Sequence, residues 1–187
     1  QVLLITMDKN NIGEMSCNPA IGGIGKGHIV REIDAMGGIM ARCADQASIQ
    51  FKVLNASKGP AVRGPRCQAD RGLYKKAVNK EIARYKNIKM LNGLVESIKI
   101  DRGSCKGVVL NNGTFIASRA VVLTTGTFLN GIIHIGDKKI SAGRINENSS
   151  LGLGAFLKSL NLPMARLKTG TPPRLKKNSI SFDFLEK

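Results

Sequence analysis

Val2–Thr6 is an unbroken apolar run ending near Asp8, the pattern of a parallel strand buried on both faces. Further on, Ile29, Val30, Ile33 and Met36 recur at helical spacing and Gly37-Gly38 follows, which predicts a helix of about three turns with Arg31, Glu32 and Asp34 on its solvated face. Between Arg42 and Arg66 short apolar runs alternate with polar and Gly-Pro stretches, and the pattern predicts an irregular loop. From Gln68 a long helix is predicted, with Leu73, Ala77, Ile82 and Tyr85 on one face and Lys75, Lys76, Lys80 and Arg84 on a solvated one.

Short strands with turn signals come next: Ile88–Leu91, Val95–Ile100, Gly107–Leu110 and Thr114–Ala117, separated by Asn92-Gly93, Asp101–Gly103 and Asn111–Gly113. They read as an antiparallel meander. The meander leads into Ala120–Gly126, apolar enough for a second buried parallel strand. Leu151–Leu160 reads as a short helix with Ser149 or Ser150 as N-cap. In the basic run Arg166–Arg174, Pro172 and Pro173 fix their own φ and predict a loop of set geometry. The whole is an α/β arrangement in which a meander forms a crossover.

Charge adds a partner class. With 29 Lys and Arg against 13 Asp and Glu the net charge is +16, a field that attracts polyanions, nucleic acid first among them. Two other sources of the excess stand beside that reading: a lysine-rich coding bias, or an acidic portion lying elsewhere in a longer protein. Lys58, Arg63 and Arg66 read either as phosphate contacts or as solvated cations of an exposed turn, and the cations Arg166, Lys168 and Arg174 are further nucleic-acid candidates. No stretch approaches the ~20 apolar residues of a membrane span. The cysteines at 17, 43, 67 and 105 show no C-x-x-C spacing, so neither a zinc site nor a disulfide framework is suggested.

The densest chemistry lies in Met15–His28, where Cys17 precedes a loop holding Gly22, Gly23, Gly25, Lys26 and Gly27. Such glycines let backbone N–H groups approach a ligand, and the following helix favours an electron-rich group at its start. Cys17 reads either as a nucleophile with a lowered pKa or as a small inert core residue. The loop is not a P-loop, since Ala20 stands where the first glycine belongs and Gly27 where Ser or Thr does. Nor is it G-x-G-x-x-G, because the closing position is His28 or Val30. Asp8 reads as a ribose-holding acid or as the start of a loop.

Taken in order, Met15–His28, Arg31–Ala35, Lys58–Val62, Thr125–Leu129, His134–Gly136 and Arg166–Arg174 closely resemble the MnmG (GidA) family over almost the whole chain. The resemblance implies an incomplete FAD-binding Rossmann-like domain of the two-dinucleotide flavoprotein type, at 1–126, with 127–187 continuing toward an inserted domain. It places the family's loop cysteine at Cys17 and flavin contacts at Val95 and Ser150. Gly126 closes the Thr-Gly turn and joins the cofactor candidates. The implied activity is FAD-dependent addition of an aminomethyl or carboxymethylaminomethyl group at C5 of the wobble uridine of tRNA, using NADH and methylenetetrahydrofolate. A GTPase partner of the MnmE type, a homodimer and a bacterial cytoplasmic location, mitochondrial in a eukaryote, are implied with it. The competing readings are a folate- and FAD-dependent tRNA uridine methyltransferase, a flavin disulfide oxidoreductase and a non-enzymatic RNA-binding remnant. The resemblance also makes the chain an internal piece, with a preceding strand and pyrophosphate fingerprint expected upstream. Cys43, Cys67 and Cys105 are expected to be structural.

Overall fold

The computed structural model describes residues 1–15, 18–170 and 175–183. Cys17, the Pro172-Pro173 turn and Arg174 therefore lie outside the described residues, as does the end of the apolar run beyond Asp183. The described chain forms four small sheets with helices packed against two of them. No helix among the described residues is long and apolar enough to cross a membrane.

The main core is built on an antiparallel sheet of β2 (Ala20–Gly22), β4 (Gly64–Ala69) and β3 (Ser48–Leu54), in that order. Helices α1 (Lys26–Ala35), α2 (Met40–Gln46) and α3 (Arg71–Ala83) complete it. Its centre is made of small and medium side chains, among them Val30, Cys43, Ala44, Cys67, Ala69 and Tyr74. Small residues let α2 lie close on the sheet: Cys43 and Ala47 are 0% exposed, and the Cys67 thiol donates to the Ala44 carbonyl at 3.4 Å. The Glu81 carboxylate meets Arg42 at 3.4 Å and Arg84 at 2.9 Å, tying α2 to α3.

Strand β1 (Val2–Thr6) forms as the apolar run predicts and pairs in parallel with β5 (Ile88–Asn92). It is not buried on both faces: Val2 is 54% exposed. β5 is its one sheet neighbour among the described residues, so little covers its flanks. Ile88–Leu91 is thereby removed from the predicted meander, which consists of β6 (Val95–Asp101), β7 (Ser104–Leu110) and β8 (Phe115–Ala117).

Two other expectations are corrected. The stretch read as an irregular loop holds α2 and the β3–β4 hairpin, and only its tip at 55–63 is irregular; Asn55 and Arg63 close that tip through the carbonyls of Val62 and Ala56. Local propensity was weak there, and pairing with β2 and burial against the helices decide the outcome. Ala120–Gly126 forms no strand, because no described strand lies alongside to take its backbone bonds, and Val122 is 84% exposed. Past it, β9 (Ile132–Ile135) and β10 (Lys138–Ser141) make an unforeseen hairpin.

The helices start and stop for local reasons. Asp70 accepts from the Leu73 N–H at 2.8 Å and so caps α3, which begins at Arg71 and not at Gln68. The cap and the packing of Gly13 against Val78 turn Tyr74, Ala77 and Val78 inward, leaving Leu73 and Tyr85 exposed. Helix α1 ends at the predicted glycines, whose N–H groups return to Asp34 and Ile33 at 2.8 Å each. Its buried face is Gly27 and Val30, with Ile29 and Met36 outside. Helix α4 (Leu151–Ser159) has Ser150 at the N-cap position, but the hydroxyl makes no cap bond. It packs on β6, with Leu153 buried.

The face of α1 is chosen by a glycine contact. Gly22 has φ +129°, and a Cβ there would run into the Pro65 carbonyl and the Arg66 backbone. Gly27 sits over Gly22 in turn. Gly25, the N-cap, also has positive φ (+79°) but open space around it. In the full-length protein Gly22→Ala is therefore expected to cost roughly 3 kcal/mol or more, adding collision to strain, and Gly25→Ala roughly 1 kcal/mol. Equal losses of thermal stability in the two variants would show that the close approach to β4 is not what Gly22 provides.

Candidate functional site

The loop between β2 and α1 uses much of its own hydrogen bonding. The Gly23 N–H donates to Pro65 at 3.2 Å, the Lys26 N–H to Ile24 at 3.1 Å and the Gly27 N–H to Gly23 at 2.8 Å. The Lys26 ammonium folds back to the Ala20 carbonyl at 3.4 Å. Gly22, Gly23 and Gly27 therefore serve packing, Gly23 being buried against Leu54, while Gly25 borders open space at the start of the helix. That end of the expected cradle is physically available to an electron-rich group.

A second group forms around α4. Val95 opens β6 opposite Leu110, half-buried, and α4 lies on that strand. Ser150 is 5% exposed; its N–H donates to the Phe128 carbonyl at 2.8 Å and its carbonyl accepts from Asn130 at 3.1 Å. Gly126 stands in the short turn Gly126–Phe128 with φ +58° and nothing close to it. Val95 and Ser150 thus stand on neighbouring elements, Val95 at the start of β6 and Ser150 at the N-cap of α4, which packs on β6. Glu96, absent from the sequence reading, lies with its carboxylate against Gly152 in the first turn of α4. Nothing in the sequence singled it out, since alternation alone marks Glu96 as a solvent-facing strand residue.

The basic candidates divide into two sets. Lys58 and Arg63 are on the β3–β4 tip, and Arg66 lies in β4 between Gly22 and Lys52. Arg63 donates to Ala56 at 2.8 Å and so holds the tip as well as carrying charge. Arg166 and Lys168 belong to the exposed segment after α4, where Arg166 donates to the Asn130 carbonyl at 3.1 Å. Arg166 and Lys139 line an open cavity of about 410 Å³ over Ile132 and Leu151, next to Ser150 in sequence.

An FAD fits these residues in two respects. Ser150 is a buried N-cap whose hydroxyl is not used to cap α4, which leaves it for a bound group. The donor and acceptor set of the Ser150 hydroxyl and the Glu96 carboxylate suits a hydroxyl-rich chain, and the open Gly25 at the helix start suits an electron-rich group. The other thiols are different in kind. Cys43 is fully buried, and burial first, then the Glu81 charge, pushes its thiol above the ordinary cysteine range, with Arg42 opposing. Cys67 is buried and hydrogen-bonded. Both fit the expected structural role.

Known proteins resemble the chain along nearly its whole length. The family profile described as glucose inhibited division protein A matches residues 1–187. A tRNA uridine 5-carboxymethylaminomethyl modification enzyme MnmG of Granulibacter bethesdensis is 55% identical over 97% of the chain, and one of Zymomonas mobilis is 50% identical over 98%. The chain spans 29% and 30% of the length of those relatives. Among solved structures, Aquifex aeolicus GidA in its form II crystal aligns with TM-score 0.89 and 47% identity, covering 98% of this chain and 30% of that one. The mixed α/β fold is thus that of part of a Rossmann-like FAD-binding domain. The chain belongs to the glucose inhibited division protein A (GidA) family, which is the family its motifs resemble; the methyltransferase alternative is not favoured.

The thiol at 43 carries a pH signature. A folded-state pKa above the unfolded value stabilises the fold at pH below the unfolded value of 9.0 and loses that contribution as pH rises through the folded one. Stability of the full-length protein should therefore fall more steeply above pH 9 than that of Cys43→Ala, once the variant's constant cavity penalty is subtracted. Parallel stability curves for the two proteins between pH 8 and 10 would refute the assignment.

Proposed function

We propose that this chain is the FAD-binding portion of an enzyme that installs the carboxymethylaminomethyl or aminomethyl group at C5 of the wobble uridine of tRNA. The observation that carries it is the 50–55% identity to relatives of that activity over nearly every residue of the chain. The division at 126 between the FAD-binding part and its continuation belongs to the same proposal.

When bound, FAD together with NADH and methylenetetrahydrofolate supplies reducing equivalents and the one-carbon unit, with glycine or ammonium completing the substituent. This chain's part is to hold and to activate. Gly25, Val95, Gly126 and Ser150 contact the flavin, with Gly22, Gly23, Lys26 and Gly27 shaping the loop. Cys17, following Met15-Ser16 at the entrance to that loop, is the thiol. As a thiolate adding at uridine C6 it would drive electron density to C5, which then attacks the one-carbon unit; loss of the C5 proton expels the thiolate and restores the ring. The alternative role for Cys17 is to tune the flavin. Lys58, Arg66, Arg166, Lys168 and Arg174 face tRNA phosphate in this reading, Arg63 doing so from the tip it also braces. The MnmE-type GTPase, the homodimer and the bacterial cytoplasmic (or mitochondrial) location are parts of the proposal that concern the full-length protein.

Full-length protein with Cys17→Ser is expected to keep its flavin and to leave the wobble uridine unmodified, read by mass spectrometry of nucleosides from complemented cells. Normal modification would remove Cys17 from the chemistry. A tRNA affinity that barely changes between 50 and 200 mM salt would remove the cationic surface from binding, since several phosphate contacts require a fall of orders of magnitude.

A further inference from the structure

The segment Asp8–Met15, which runs toward the β2–α1 loop, is gripped from two sides. On one side α3 holds it: Asn79 donates to the Ile12 carbonyl at 3.0 Å, and the Lys75 ammonium meets the Glu14 carboxylate at 3.0 Å. On the other side the Asn11 amide donates to Oε2 of Glu147 at 3.2 Å, joining residues 136 positions apart. The second oxygen of Glu147 accepts from Arg144 at 3.4 Å, and the Arg144 guanidinium lies 5.1 Å over the Phe128 ring. Phe128 in turn takes the Ser150 N–H on its carbonyl. The Glu147 and Arg144 side chains are only 26% and 25% exposed, so these contacts are partly shielded from solvent.

We propose that Glu147 is a positioning residue: by accepting from Asn11 and Arg144 at once, it sets the spacing between the segment that feeds the glycine loop and the turn that presents Ser150. The inference rests on the flavin reading above, because those two places hold the proposed flavin contacts. Two oxygens serve two segments, and an amide in place of the carboxylate keeps an acceptor for only one of them. The contact is directional. Exchanging donor and acceptor across the pair should therefore preserve it, whereas a role for Glu147 in bulk packing alone would gain nothing from the exchange.

The experiment uses the full-length protein with Asn11→Asp, Glu147→Gln and both together. FAD affinity is read by flavin fluorescence, and hydrogen–deuterium exchange is read in peptides covering 8–15 and 141–150. Asn11→Asp sets two carboxylates against each other and should weaken FAD binding about tenfold while speeding exchange in both peptides. The double variant, with an amide donating from position 147 to a carboxylate at 11, should return to within about threefold of the parent and regain protection. A double variant no better than the sum of the singles overturns the proposal, as does unchanged FAD affinity in Asn11→Asp. If the parent binds no FAD, the flavin reading itself has failed, and exchange alone then decides: restored protection in the double variant upholds the link, and additive loss overturns it.

Discussion

The contact on which the most depends is the one without side chains. Gly22 lies so close to the backbone of Pro65 and Arg66 that no Cβ could stand there. That closeness brings β2 onto β4 and puts Gly27 over Gly22, which fixes how α1 faces the sheet. The burial of Val30 and the exposure of Ile29 follow from it, as does the placing of Gly25 at the open end of the helix. Packing and ligand presentation are thus divided between neighbouring glycines of one loop.

Much of the architecture was legible in the chain. Val2–Thr6, the glycine stop of α1, the turns of the meander and the helix at 151 each announce themselves by local rules, and local contacts there carry the outcome. Legibility failed where distant partners decide. Nothing within 42–66 says that Phe51 will pair beside Cys67 or that small residues will seat α2, because that stability comes from β2 and the helices. Conversely, Ala120–Gly126 has the composition of a buried strand but finds no partner strand among the described residues. An apolar run specifies a demand for burial, and the surroundings settle whether it is met.

The candidate site divides in the same manner. Ordered motifs were enough to name the family and to bring Val95 and Ser150 forward, and α4, which Ser150 precedes, packs on the strand that Val95 opens. Glu96, Asn11 and Glu147 were not legible, since each is an ordinary polar residue whose partner lies across the fold. The basic residues were legible as charge but not as structure: Arg63 and Arg166 are each committed to a backbone carbonyl. A cation so anchored has a fixed position, which gives it direction as well as attraction for a polyanion.

The parallel pair of β1 and β5 matches Val2 with Ile88, while the β3–β4 hairpin and the meander join near neighbours in sequence. Closing so long a loop is entropically slower than closing a hairpin. During synthesis the strand leaves the ribosome well before its mate exists, with its apolar residues and backbone groups unpaired. Pairing of β1 with β5 must therefore wait until the elements between them have been made, and in that interval a chaperone or a wrong edge can reach the side of β1 that β5 will cover.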